Sequence, residues 1–289
     1  MSIQQERFKL IADKIREKTG ISQPIKPSDF AEKIDEVYTA GKDSRQQLIE
    51  ELEGELEEIK SQDAYLAGKK SQYDKFWDTY QQNGNLTNYS CAFAGRGWTK
   101  DIFKPKYDIR PTTAYHMFNY GGNICKIDMV ELSKELGIEF DFSKSTSFYQ
   151  CFCGNFFSRL GVIDTTSAKS LDGMFIEFAG HTIDKLIIKP DGSTKYDDGF
   201  NYANKLKNIT IEGTIGNTWN MQWCPLSKDS IISVVDALSS TTSKLTITFK
   251  KAAINEAFGI NVDDVSTYPE GSEFYNLRNS KSNWTFSYV

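Results

Sequence analysis

The sequence lacks the features that mark membrane, secreted and nucleic-acid-binding proteins. It contains no run of about 18 apolar residues, the length that a membrane-spanning helix needs. Met1–Glu6 is not a basic segment followed by an apolar one, so no signal peptide is predicted. The formal net charge is −5, without an arginine cluster or a glycine-rich phosphate loop, which argues against nucleic acid or an anionic membrane as a partner. We therefore expect a protein made in the cytoplasm without a leader.

Residues suited to catalysis or metal binding are also scarce. Histidine occurs only as His116 and His181, and neither a Gly-x-Ser-x-Gly nor a His-Glu-x-x-His motif is present. Of the five cysteines, only Cys151 and Cys153 are close in sequence, with one residue between them, whereas zinc sites use roughly two to four. Reduced, buried thiols are the favoured interpretation. We predict no catalytic residue, no metal and no cofactor.

The remaining feature that could indicate an enzyme is a set of acidic residues on the predicted loops. A glycan hydrolase would need a pair of carboxylates. No spacing singles out a pair, so solvated loop acids are favoured and the chain is predicted not to be an enzyme. The candidates are Asp172, Glu177, Asp184, Asp197 and Asp198.

The first part of the chain has the pattern of helices. Apolar residues recur at helical spacing in two short stretches separated by Gly20 and Pro27. This pattern predicts a helical hairpin over residues 1–42, interpreted as an attachment segment.

Residues 43–82 have the heptad pattern of a coiled coil. Apolar positions alternate at spacings of three and four, and the outward positions are rich in glutamate. A parallel coiled-coil stalk that makes the protein a homo-oligomer is predicted, and the alternative is a single amphipathic helix lying on its own domain. The predicted oligomerisation residues are Ile49, Leu52, Leu56, Ile59, Leu66, Tyr73, Trp77 and Tyr80.

Beyond residue 82 the helical period ends, and a linker or cap is predicted over residues 83–112. Between residues 113 and 250, Phe152, Phe175 and Phe200 recur at intervals of 23 and 25 residues, and each is followed by a short alternating strand. Such units bury their strand faces on one another. A C-terminal cap is predicted over residues 251–289. The predicted fold class is α+β: a helical hairpin and coiled-coil stalk followed by a leucine-rich-repeat-like β-solenoid.

Aromatic residues on the repeat loops are the best candidates for a ligand surface. If exposed, they would stack on sugar rings or anchor a protein partner. If buried, they belong to the core. The residues concerned are Tyr149, Tyr202, Trp219 and Trp223.

Several segments resemble tail-associated proteins of phages and prophages of Firmicutes. The resemblance is carried by Ala12–Gly20, Ile25–Asp29, Tyr73–Gln81 and Phe103–Asp108. The strand-rich part, with Ile209–Gly216, is similar to the irregular leucine-rich repeats of BspA-type bacterial surface proteins. The resemblance implies a location in the virion tail and carries over no active-site residue.

These features together predict a non-enzymatic tail-fibre or receptor-binding protein. The stalk would form a trimer by analogy with tail fibres, and residues 1–42 would attach to other tail or baseplate proteins. The repeat domain would bind a host-surface protein or glycan. Three alternatives stay open: a purely structural tail or baseplate component, a bacterial surface adhesin, and a glycan hydrolase.

Overall fold

The computed structural model divides the chain into two compact units, Met1–Tyr73 and Asp74–Val289. The residues that it describes are Asp13, Arg16, 46–95, 103–119, 127–154, 157–196, 198–240 and 244–289. The helical hairpin predicted over residues 1–42 therefore lies outside the described residues, apart from Asp13 and Arg16.

Helix α1 spans Gln46–Tyr80, a stretch without proline that is rich in the good helix formers Glu, Lys and Gln. Up to Tyr73 it belongs to the first unit, in which Leu52 is buried and Leu56 half-buried. Among the described residues, no helix combines the length and apolar character needed to cross a membrane. Some predicted oligomerisation residues have side chains outside the described part, namely Ile49, Ile59, Leu66 and Tyr73.

The last turns of α1 belong to the second unit and pack inside it. The buried Trp77 ring lies 6.1 Å from that of Phe93 and 5.8 Å from that of Phe103. The Tyr80 hydroxyl donates to the carbonyl oxygen of Ala92. Trp77 and Tyr80, predicted to face other copies of the chain, therefore contact their own chain.

The first sheet has four parallel strands in sequential order, with helix α2 (Met129–Leu136) following the first of them. The strands are β1 (Ile127–Asp128), β2 (Phe157–Asp164), β3 (Thr182–Ile187) and β4 (Asn208–Glu212).

Buried aliphatic side chains line up across this sheet. Leu160 pairs with Ile183, and Ile183 pairs with Ile209. Because alternate side chains of a strand share a face, this row forms one layer of the core. Arg159 and Asp184 form a bidentate ion pair across β2 and β3, with N–O distances of 2.8 and 2.9 Å.

A phenylalanine ladder runs through the core beside the sheet. We use this name for Phe93, Phe118, Phe152, Phe175 and Phe200, all of which are buried. Successive ring centroids lie 5.2, 5.6, 5.7 and 5.2 Å apart, with interplanar angles between 11° and 23°. Burial of each ring stabilises the fold by about 1.5–3 kcal/mol. The ladder stacks successive turns of the chain on one another.

The second sheet contains three parallel strands, also in sequential order. Helix α3 (Lys228–Asp236) comes between the first two strands, and helices α4 (Lys251–Phe258) and α5 (Glu273–Asn279) come between the last two. The strands are β5 (Trp219–Met221), β6 (Leu245–Phe249) and β7 (Trp284–Tyr288).

Helix α3 covers the edge of β4. Ser230 Oγ accepts a hydrogen bond from Ile209 N, and Ser233 Oγ accepts one from Ile211 N, both at 2.8 Å. These serines satisfy donors that would otherwise need a neighbouring strand. The first sheet therefore ends at β4.

The predicted fold class is wrong. The described residues form a mixed α/β fold with two small parallel sheets, and they show neither a coiled-coil stalk nor a β-solenoid. The solenoid prediction fails at α3, because its serines occupy the edge of β4 and divide the strands between two sheets. The stalk prediction fails because Trp77 and Tyr80 pack against downstream residues of the same chain. The other predicted domain boundaries stay predictions.

Candidate functional site

The turns that carry the phenylalanine ladder share one backbone feature. Two residues before each phenylalanine, φ is positive, between 48° and 61°. This left-handed conformation costs a non-glycine residue about 1–2 kcal/mol. Strain of this kind clusters at functional sites. The positions are Cys91, His116, Gln150, Gly173 and Asp198.

Backbone hydrogen bonds show which turns are neighbours. Gln150 N donates to Asp172 O at 3.3 Å, and Glu177 N donates to Asn201 O at 2.8 Å. The turn over residues 171–178 therefore lies between the turn of Gln150 and the turn of Asn201.

The first exposed aromatic pair consists of Tyr115 and Tyr149, each just before a positive-φ residue. Their rings lie 5.4 Å apart at an angle of 14°. The side chains are 42% and 41% exposed. The His116 ring lies 4.3 Å from that of Tyr115 and 5.2 Å from that of Tyr149. Two stacked tyrosine rings, with His116 packed against them, are thus exposed at the surface.

Amide side chains hold His116 in place. Asn119 Nδ2 lies 2.6 Å from His116 Nδ1 and donates to Gln150 Oε1 at 3.0 Å. Because an amide nitrogen only donates, Nδ1 is the acceptor and Nε2 carries the proton of the neutral ring. Burial lowers the pKa of His116 below its usual value, so the ring is neutral at pH 7.

The second exposed pair consists of Tyr202 and Trp223. Their rings lie 4.6 Å apart at an angle of 33°, and the side chains are 53% and 37% exposed. Tyr202 has a φ of 59°, which is rare for an aromatic residue. The surrounding fold therefore holds a strained backbone at the position that displays this ring.

The turn over residues 171–178, which lies between the turns of Tyr149 and Tyr202, carries two acidic residues. Asp172 stands in the turn after that of Tyr149, and Glu177, which is exposed, stands in the turn before that of Tyr202. Aromatic rings therefore occur on both sides of an acidic turn. We call the following six residues the aromatic face: Tyr115, Tyr149, Asp172, Glu177, Tyr202 and Trp223.

The structure exposes some of the predicted ligand residues and buries another. Tyr149, Tyr202 and Trp223 lie on the aromatic face, but Trp219 is only 1% exposed and lies 4.5 Å from the ring of Tyr196. Trp219 therefore follows the alternative stated for these aromatic residues, a place in the core, because its ring continues the buried stack. Tyr115 was not among the predicted residues. The available signal is that Tyr115 and Tyr149 stand at the same distance before a phenylalanine.

The described carboxylates considered for a hydrolase lie on more than one element of the structure. Asp184 is held by Arg159 on the first sheet. Asp172 and Glu177 lie on the aromatic face, and Asp198 is exposed at a positive φ. The remaining candidate, at position 197, lies outside the described residues.

The thiols near the ladder are poorly suited to nucleophilic chemistry. Cys151, Cys153 and Cys224 are buried and not disulfide-bonded. Burial raises the pKa of the Cys151 thiol well above its usual range, so the thiol stays protonated. Within the part of the chain that the structure describes, no group of three or more His, Cys, Asp or Glu residues could hold a metal ion.

No protein family, no curated protein and no solved structure matches this chain. The candidate site is therefore defined by its own geometry.

Proposed function

We propose that the chain is a non-enzymatic binding protein of a phage or prophage tail, which attaches to the host surface through its aromatic face. The observation that carries the proposal is the exposure of two ordered aromatic pairs, Tyr115–Tyr149 and Tyr202–Trp223. Large rings at a surface supply much contact area with few rotatable bonds, and aromatic residues often dominate binding energy.

The packing below the face supports a binding role. Phe118, Phe152 and Phe175 of the phenylalanine ladder are buried directly under the turns that display the face. The turns cannot easily move without breaking these contacts. A surface held in this way loses less conformational entropy on binding than a mobile loop does.

The assignment to a phage tail rests on sequence resemblance. Tyr73–Gln81 and Phe103–Asp108 resemble segments of tail-associated proteins. Both segments contribute to the second unit, where Trp77 and Phe103 are in contact. Attachment to other tail proteins through residues 1–42, and assembly with further copies of the chain, stay predictions.

Binding to cells tests the proposed function. The fluorescently labelled full chain is sedimented with cells of the strain that encodes it. We expect the wild type to bind, and Tyr149→Ala and Trp223→Ala each to bind at least about fivefold more weakly, because truncation of a central aromatic costs about 1 kcal/mol or more. Phe76→Ala is the matched control, since it removes a similarly exposed ring from α1, outside the aromatic face.

Two outcomes would contradict the proposal. The first is absent cell binding, or binding that both face variants leave intact. The second is release of reducing sugar ends during the incubation, which would indicate a glycan hydrolase. Mass spectrometry of tail particles collected after prophage induction tests the location, and absence of the chain from those particles would refute it.

A further inference from the structure

Strand β7 lies at the edge of the second sheet. The sheet order is β5, β6, β7, so among the described residues β7 pairs with β6 alone. The strand, Trp284–Tyr288, contains no charged residue and no proline, and its register to β6 has no bulge. Charges, prolines and bulges are the features with which natural proteins protect an edge strand, because an open edge pairs readily with another chain.

The other sheet edges of the described residues are short or covered. β1 has two residues and β5 has three, which leaves few backbone groups for another strand. Ser230 and Ser233 of α3 accept hydrogen bonds from the backbone of β4. β7 is therefore the longest strand edge that the described residues leave unpaired.

A hydrogen bond at Val289 shows which backbone groups face the open edge. Val289 N donates to the carbonyl oxygen of Phe249 in β6 at 3.1 Å. Because the backbone groups of successive strand residues point to opposite sides, Tyr288 and Phe286 direct their N–H and C=O groups away from β6. Among the described residues, none forms a hydrogen bond with these groups.

The side chains of β7 match a second copy of the strand in antiparallel orientation. With the twofold axis at Phe286, this residue faces its own copy, and Trp284 faces Tyr288 of the second copy. On the opposite side of the sheet, Thr285 faces Ser287 of the second copy. Aromatic pairs and Thr–Ser pairs stabilise neighbouring antiparallel strands. Since the strand is uncharged, the pairing brings no like charges together.

The same register also satisfies the outward backbone groups. Phe286 exchanges both of its backbone hydrogen bonds with its copy, and the Tyr288 N–H donates to the C=O of Trp284 in the second copy. The Trp284 N–H needs no further partner, because it already donates to the carbonyl oxygen of Lys281 at 2.9 Å.

We propose that two copies of the chain pair antiparallel through β7 and thereby join their second sheets into one. The surface concerned is not the aromatic face, so this proposal does not depend on binding to cells.

Charged residues at positions 285 and 287 test both the contact and its register. Thr285 is exposed and Ser287 is half-buried, and in the proposed dimer each position faces the other in the second copy. Thr285→Lys/Ser287→Lys therefore places like charges opposite each other, whereas Thr285→Lys/Ser287→Glu places opposite charges there. Asn208→Lys/Thr210→Lys is the matched control, since it adds the same charge at exposed positions of β4, whose edge α3 covers.

Light scattering on the full chain over a range of concentrations measures the assembly, and circular dichroism verifies that each variant is folded. We expect the wild type and the β4 control to reach twice the mass of the Lys/Lys variant. The Lys/Glu variant should recover the wild-type mass. We expect its dimerisation constant to be about tenfold tighter than that of the Lys/Lys variant, or more, because symmetry places each charged pair in the dimer twice.

Two mass results would overturn the proposal. A wild-type mass equal to that of the Lys/Lys variant at every concentration would show that β7 binds no second copy. A Lys/Glu variant that fails to recover the wild-type mass would refute the antiparallel register. Amide hydrogen exchange gives an independent readout: the outward N–H of Phe286 should exchange more slowly in the wild type than in the Lys/Lys variant, and equal rates would contradict the pairing.

Discussion

Replacement of Ser230 by alanine is expected to destabilise the second unit. The Ser230 hydroxyl is buried, accepts a hydrogen bond from the N–H of Ile209 at 2.8 Å, and lies 3.0 Å from Ser227 Oγ. Alanine leaves the buried N–H of Ile209 without this acceptor, which costs about 1–3 kcal/mol. The better helix propensity of alanine offsets about 0.5 kcal/mol of that cost. We therefore expect a net loss of about 0.5–2.5 kcal/mol.

The chain offers a matched control at Ser272. Its hydroxyl is buried but has no hydrogen-bond partner, and it makes no capping bond at the start of α5. Ser272→Ala makes the same chemical change without removing a hydrogen bond. We expect its stability to equal that of the wild type or to exceed it slightly.

Urea unfolding measured by circular dichroism distinguishes these variants. Ser230→Ala should lower the midpoint with an unchanged slope, whereas Ser272→Ala should not lower it. For a unit of this size, each kcal/mol also corresponds to a shift of about 2–4 °C in the melting temperature. Equal stability of the two variants would refute the conclusion that α3 serines satisfy the edge of β4.

Two further predictions concern backbone packing and thiol burial. Gly216→Ala would place a Cβ 2.2 Å from the carbonyl oxygen of Gly192, so we expect it to lower the free energy of unfolding by at least about 3 kcal/mol. Gly137→Ala is the control: it has open space around the new Cβ but a φ of 67°, so we expect a loss of about 1–2 kcal/mol. Equal losses of the two variants in urea unfolding would contradict the close approach of the backbones at Gly192 and Gly216. Burial raises the pKa of Cys224 to about 12, so the stability that this thiol contributes is complete below its unfolded pKa of about 8.5 and is lost as pH rises towards the folded value. In native protein at pH 8, iodoacetamide should modify the exposed Cys91 but not Cys224, and rapid modification of Cys224 would contradict its burial.

The heptad pattern of residues 46–80 predicts the helix but not the residues that cover its apolar side. A glutamate-rich sequence with apolar residues at spacings of three and four indicates an amphipathic helix. It does not say what covers the apolar stripe. Trp77 is covered by Phe93 and Phe103, whose positions beyond the helix depend on the tertiary fold. The interpretation as a coiled coil therefore required information that the heptads do not contain.

The phenylalanine repeat likewise predicts the stacking of successive turns but not the point at which a sheet ends. The intervals between Phe152, Phe175 and Phe200 correspond to consecutive steps of the phenylalanine ladder. The division into two sheets depends instead on Ser230 and Ser233, and serine in a short helix has no periodic signal. Local contacts within a turn are thus easier to predict than the point at which a sheet ends.

Exposure of the candidate ligand residues follows from position in the turn. Tyr149 precedes a positive-φ residue and points outward, whereas Trp219 lies 5.8 Å from Phe200 at the end of the ladder and is buried. Both residues are aromatic and both stand near loops, so composition alone does not separate them. Alignment of the turns on their phenylalanines would have identified Tyr115 together with Tyr149.

Hydroxyl-radical footprinting of the chain bound to cells tests the central claim most directly, because it requires no knowledge of the ligand. Oxidation of each aromatic residue is compared by mass spectrometry between free and cell-bound protein. We predict protection of Tyr115, Tyr149, Tyr202 and Trp223, while Phe76, which is exposed outside the aromatic face, is oxidised equally in both states. Protection of Phe76 together with unchanged oxidation of the four face residues would show that the chain binds through another surface and would contradict the proposed function.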